Sequence, residues 1–170
     1  MRIDWIIENH DIARVKAFFE EHGANCLVRE RIKRNLRPDK PQVTIDSFWE
    51  ILVGCLLTTQ QKSGPCKPVT RFINTRPYPL PYQTCCERGD LAEFALEVFK
   101  QFGGLRRTTR IGNELAANIG YLKDGGWPTT LKKLENVRRT STPDAERDAA
   151  DFPADHFKGL GPKQSRLLLQ

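Results

Sequence analysis

Apolar residues recur at helical spacing along most of this chain, in segments punctuated by glycine, proline or polar clusters. Asp11 is placed to cap a helix whose apolar positions are Ile12, Val15, Phe18 and Phe19, and Gly23 stops it. Cys26 to Ile32 reads equally as a strand or a charged helix, and Arg37 to Pro41 as a proline-punctuated loop. Asp46 or Ser47 caps the next element, Phe48 to about Gln61. Its apolar residues (Phe48, Trp49, Ile51, Leu52, Val53, Cys55, Leu56, Leu57) cover nearly the whole circumference, which marks a buried central helix. Ser63-Gly64-Pro65 starts a short helix through Val69, Phe72 and Ile73, and Arg76 to Tyr82, with its three prolines, is a stiff loop.

The second half repeats the pattern. Asp90 opens an amphipathic helix through Leu91, Phe94, Leu96, Val98 and Phe99, closed by Gly103-Gly104. Leu105 to Leu122 follows, with Ile111, Leu115, Ala116 and Ile119 on one face and Gly125-Gly126 at its end. Pro128 begins a segment through Leu131, Leu134 and Val137. A polar link, Thr140-Ser141-Thr142-Pro143, precedes a helix that Pro153 ends or bends before Phe157. No repeat or low-complexity tract interrupts the series. The predicted fold class is all-α, a bundle of short helices, with residues 1–45 as a helical segment of a second lobe and 46–170 as the main domain.

Composition narrows the partners. The chain has 170 residues, 39% of them hydrophobic, and three Trp, enough for a core. Its formal charge of +6 fits an anionic partner, and nucleic acid and an acidic membrane surface satisfy it equally. The basic residues are spread over Arg29–Arg34, Arg106–Arg110, Lys132–Arg139 and the last residues, so no single cluster stands out from a solvated helix face. Asp4 interrupts the start where a leader's apolar stretch should begin, and the longest apolar run, Ile51 to Leu57, is too short to span a bilayer. No membrane-spanning segment is therefore expected, and no membrane is among the expected partners. The five cysteines (Cys26, Cys55, Cys66, Cys85, Cys86) form no C-x-x-C pair, and reduced, mostly buried thiols in a cytoplasmic protein are the expectation.

The last stretch, Phe157-Lys158-Gly159-Leu160-Gly161-Pro162-Lys163-Gln164-Ser165-Arg166, carries the most specific signal. Gly159 and Gly161 bracket apolar Leu160, so the chain can turn through conformations that a Cβ forbids. Pro162 fits a first helical position. The result is a helix start with bare amides, ringed by Lys158, Lys163 and Arg166, suited to gripping a phosphate without reading sequence.

These residues resemble the helix-hairpin-helix of the endonuclease III-like DNA glycosylases, the family named for that hairpin, a Gly/Pro-rich loop and a catalytic Asp. Its hairpin reads apolar, any residue, Gly, apolar, Gly, any residue, then Lys in members that also cleave the strand. Phe157, Gly159, Leu160, Gly161 and Lys163 match in order, and Ser165 stands where a small residue is expected. A second match lies at Leu56-Leu57-Thr58-Thr59-Gln60-Gln61, similar to the family's Leu-Leu-Ser-x-Gln. There Gln60 takes the place of the glutamine that fills the gap left by an extracted base. Read from the residues alone, Gln60 fits equally a core helix finishing in polar residues. The resemblance covers about Phe48 to Gln170, strongest at its ends.

The resemblance implies a base-excision repair protein that binds double-stranded DNA through phosphate contacts. The bundle would end in the helix-hairpin-helix, Gly159, Leu160, Gly161, Lys158 and Arg166 would hold phosphate, and Gln60 would probe the opened stack. Lys163 would attack C1′ of a damaged, oxidised-type nucleoside and leave a Schiff base that permits strand cleavage. Two departures temper this. The family's iron–sulfur cysteine spacing has no counterpart, so no cluster or other cofactor is expected. The catalytic Asp, which should follow Lys163, is also missing, so weak DNA binding and little or no catalysis by the chain as it stands are expected; Asp151 and Asp155 precede Lys163 and read as surface charges. The three leucines Leu167–Leu169 are expected to lie uncovered, in a module incomplete at its C-terminal end and open to self-association or a complementing chain. Two rivals remain: a non-catalytic helix-hairpin-helix DNA-binding module, with Lys163 as a phosphate contact, and an all-α interaction protein whose basic faces meet an acidic protein.

Overall fold

Every regular element among the described residues of the chain is helical. The computed structural model describes residues 6–23, 25, 26, 29, 30, 33, 42–62, 64, 66–140 and 142–169. The chain divides into two units, Met1–Pro41 and Gln42–Gln170.

In the first unit, α1 spans Asn9–His22. Its N-cap is Glu8, whose N–H donates to Asp11 Oδ2 at 3.1 Å, so Asp11 works from inside the first turn rather than as the predicted cap. Gly23 closes the helix as expected, its N–H donating to the Phe19 carbonyl at 2.7 Å. Ile12, Val15, Phe18 and Phe19 are exposed. Of the ambiguous stretch Cys26 to Ile32, the described residues Cys26, Arg29 and Glu30 are helical. The Arg37–Pro41 loop lies outside the described residues.

The second unit is organised around α2, Ile45–Leu57. Thr44, not Asp46 or Ser47, is its N-cap. The Thr44 hydroxyl accepts from the Ser47 N–H at 3.1 Å, and the Ser47 hydroxyl accepts from the Thr44 N–H at 3.0 Å. Ser47 thus completes a capping box from the third helical position instead of capping the helix itself. Phe48, Trp49 and the run from Leu52 to Leu57 are buried, whereas Ile51 is exposed, so the helix is buried on most of its circumference. The Trp49 indole N–H donates to the Leu80 carbonyl at 2.9 Å, satisfying the one polar atom of a fully buried ring. Burial of each such large side chain contributes on the order of 1.5–3 kcal/mol.

Two short helices flank α2: α3, Pro68–Asn74, and α4, Tyr82–Glu87. The α3 helix opens at Pro68 after Lys67; of the predicted start, Ser63 and Pro65 lie outside the described residues. The proline loop runs only to Pro81, because Tyr82 already begins α4. Then come α5, Leu91–Phe102, and α6, Thr108–Tyr121, which pack along each other. Gly103 and Gly104, at φ +81° and +73°, end α5 as expected. A wider turn, Leu122–Gly126, breaks at Asp124 and Gly125, and α7 follows at Trp127–Thr140.

The chain closes with α8, Pro143–His156, and α9, Pro162–Leu168. Thr142 caps α8 by accepting from the Ala145 N–H at 3.3 Å; Ser141 lies outside the described residues. Pro153 sits inside the last turn, so the helix continues past it to His156. The α9 helix packs on both α8 and α2. Leu168 is buried and only Leu167 is markedly exposed, which corrects the expectation that the terminal leucines lie uncovered. The cysteines depart from expectation too: Cys55 and Cys85 are buried, Cys86 is half-buried, and Cys26 and Cys66 are exposed.

Candidate nucleic-acid interface

The turn between α8 and α9, Phe157 to Gly161, is built on two apolar anchors. Phe157 is buried against Phe48 and Tyr121, with ring centroids 5.3 Å and 5.1 Å away, and Leu160 is buried as well. Between them Lys158 is exposed. Gly159 is required twice over. Its φ of +84° favours glycine, and a Cβ there would stand 2.5 Å from the Glu114 carboxylate and 2.6 Å from Leu56 Cδ2. Gly161 differs: at φ −107° and ψ 179° it is extended backbone that any residue adopts, so only one of the two glycines has the predicted role. Pro162 is the first residue of α9, as expected. The α9 helix is just seven residues long, so its dipole is small and the anion-binding capacity rests on the turn's own amides.

A side chain that no motif includes fixes this turn. Asn118 of α6 is 1% exposed. Its Oδ1 accepts from the Lys158 N–H at 2.7 Å, and its Nδ2 donates to the Lys158 carbonyl at 3.1 Å. A signal for it exists in the hydrophobic pattern: Asn118 continues the stripe of Ile111 and Leu115 at helical spacing, a polar residue on an apolar face. Glu114, one turn earlier, lies beneath Gly159 and pairs with Arg110 at 2.7 Å.

The second motif forms a turn of its own. The α2 helix stops at Leu57, four residues before the predicted Gln61, because the hydroxyls of Thr58 and Thr59 turn back onto the Cys55 carbonyl at 2.9 Å and 3.3 Å. Gln60 is exposed and left-handed at φ 59°, an uncommon state for a side-chain-bearing residue. Gln61 faces inward. Its amide donates to the Leu57 carbonyl at 2.7 Å and accepts from the Arg106 N–H at 3.0 Å, tying this turn to the start of α6. Arg107, the N-cap of α6, is left-handed as well at φ 58°.

The structure brings the two motif segments together. The Gln164 amide reaches the Thr59 hydroxyl at 3.5 Å across 105 positions of sequence, and Leu56 underlies Gly159. Three segments thus adjoin: the polar turn, the start of α6 and the α8–α9 turn. They carry Lys62, Arg106, Arg107, Arg110, Lys158 and Lys163 against Glu114, itself paired. Lys163 and Arg166 are exposed on α9, and neither takes part in an ion pair among the described residues. Asp151 and Asp155 are exposed on α8. Ser165 is fully buried, and its hydroxyl has no hydrogen-bond partner among the described residues.

Other chemistry is sparse. Burial pushes the Cys55 and Cys85 thiols up to about 12, which keeps both protonated and unreactive at neutral pH. Among the described residues no group of three or more His, Cys, Asp or Glu is placed to hold a metal ion, and no helix is long and apolar enough to cross a membrane. No family model, curated protein or solved structure matches the chain.

Proposed function

We propose that this chain is a DNA-binding protein of the base-excision type, whose α8–α9 turn acts as a helix-hairpin-helix phosphate grip and whose Lys163 is an amine nucleophile. The observation that carries the reading is the meeting of the two motif segments: the Gln164–Thr59 contact joins the hairpin to the turn that presents Gln60. A protein that extracts a nucleotide needs both functions on one face, a backbone grip and a residue to enter the vacated stack. The basic residues of the three segments supply the sequence-independent attraction for duplex phosphate.

In this reading the neutral Lys163 amine attacks C1′ of a damaged nucleoside. The C1′–N bond breaks with its electron pair passing to the base, which takes up the proton shed by the attacking nitrogen, and the lysine–sugar adduct opens to a Schiff base. Oxidised bases are the substrate class implied by the lysine. The site of action is wherever DNA is held inside the cell.

A second reading, a non-catalytic DNA-binding module, is favoured by the exposure of Lys163, since a solvated lysine serves as a phosphate contact. Borohydride trapping on a duplex with a single abasic site separates the two. The enzyme reading predicts a covalent adduct that vanishes in Lys163→Ala. Salt-sensitive binding without an adduct leaves the module, and neither adduct nor binding removes both.

A further inference from the structure

The amides of Gly159, Leu160 and Gly161 meet no protein acceptor among the described residues, whereas the amide just before them does. Lys158 presents its N–H and its carbonyl to the two ends of one side-chain amide, that of Asn118, as a neighbouring strand would. An asparagine offers one acceptor and one donor group on a planar frame, so engaging both with one residue fixes the peptide planes on either side of it. The Asn118 side chain stands on α6, in its buried face, with Leu115 and Ile119 beside it in the core. Its own rotation is therefore restricted by packing.

The consequence falls on the next residue. Gly159 must hold φ +84° over Glu114 and Leu56, a conformation that a free glycine shares with many others. Fixing the Lys158 planes removes that freedom and sets where the three unpaired amides point. We infer that Asn118 is a positioning residue for anion binding by the α8–α9 turn: it pre-orders the amides, and its loss weakens nucleic-acid binding beyond its effect on the fold. This rests on the reading of the turn as a phosphate grip. It adds a residue outside both motifs, on a different helix, that makes the grip work.

The alternative role for Asn118 is filling the core. Two variants distinguish them. Asn118→Ala removes both hydrogen bonds, and Asn118→Ser leaves a shorter hydroxyl that engages Lys158 only through a small backbone shift. Duplex-DNA affinity, thermal midpoint and amide hydrogen exchange are measured for each, with the wild type alongside. The expected result for Asn118→Ala is an affinity loss of about tenfold, as for an unmatched buried hydrogen bond. Faster exchange should be confined to Lys158 and its turn, with Leu115 and Ile119 still protected. Asn118→Ser should fall between. If wild-type protein binds DNA and Asn118→Ala binds equally well, the inference is overturned while the grip stands. A joint fall in affinity and in α6 protection overturns it too, because Asn118 then serves the core. If the wild type binds no DNA, the functional reading fails instead, and localised exchange at Lys158 still reports whether Asn118 orders the turn.

Discussion

Two turns at the candidate interface solve the same problem in opposite ways. Each reverses the chain at the end of a helix next to the core, and each contains a left-handed residue: Gly159 in one and Gln60 in the other. In the α8–α9 turn the left-handed position is glycine, and the backbone is held from outside by Asn118. Its amides stay open. In the Thr58–Gln61 turn the left-handed position carries a side chain, and the turn is held from inside by its own threonines and Gln61. That arrangement leaves one side chain, Gln60, displayed. A backbone-presenting turn suits an invariant ligand such as phosphate, and a side-chain-presenting turn suits a variable one such as a base.

The largest predicted effect comes from putting a side chain into the glycine turn. Gly159→Ala incurs the left-handed penalty of roughly 1–2 kcal/mol. Its methyl group must also displace the Glu114 carboxylate and Leu56, for a further cost of about 1–3 kcal/mol. A urea melt should show that loss, with weakened DNA binding. The converse change is mild: Gln60→Gly relieves a left-handed side chain and should alter stability by less than about 1 kcal/mol. If the two substitutions cost the same, the contrast between the turns is wrong.

Gln61→Ala is next in size. It removes a part-buried bond to the Leu57 carbonyl and an exposed one from the Arg106 N–H, and should destabilise by about 0.5–1.5 kcal/mol in the same melt. Gln60→Ala, one residue away, should change stability by no more than about 0.5 kcal/mol, because Gln60 is exposed.

A smaller effect separates charge from geometry. Lys163→Ala should leave the melt unchanged and lower the slope of log affinity against log salt by about 0.9, one phosphate contact. Thiol labelling supplies a check on the surrounding fold. Cys66 and Cys26 should react with a water-soluble disulfide reagent in the native state at pH 8, and Cys55 and Cys85 only after unfolding. Their folded pKa values, raised by burial, make deprotonation in the native state unfavourable until far above that pH.

Much of the helical order is legible in the sequence because apolar periodicity and glycine or proline stops report it directly, as at Gly103 and Pro162. Caps shift by a few residues where several polar side chains compete for one helix start, as Thr44, Asp46 and Ser47 do. The α4 helix is hidden because six residues are too few to display a period. At the site, the motifs locate both turns but do not show which side chains are engaged. Gln60 and Gln61 are chemically alike, and their different fates are set by the Leu57 carbonyl and by the nearness of Arg106, 45 positions away. Asn118 shows in the sequence only as a polar residue on an apolar face, since its partner lies 40 residues on.

If both turns form one nucleic-acid-binding face, titrating a short duplex into the protein should move the backbone amide resonances of both. The shifts should concentrate at Gly159–Gly161 and at Thr58–Gln61, with the start of α6 following. Shifts confined to the basic residues of α7, around Lys132 and Lys133, with both turns silent, would contradict it.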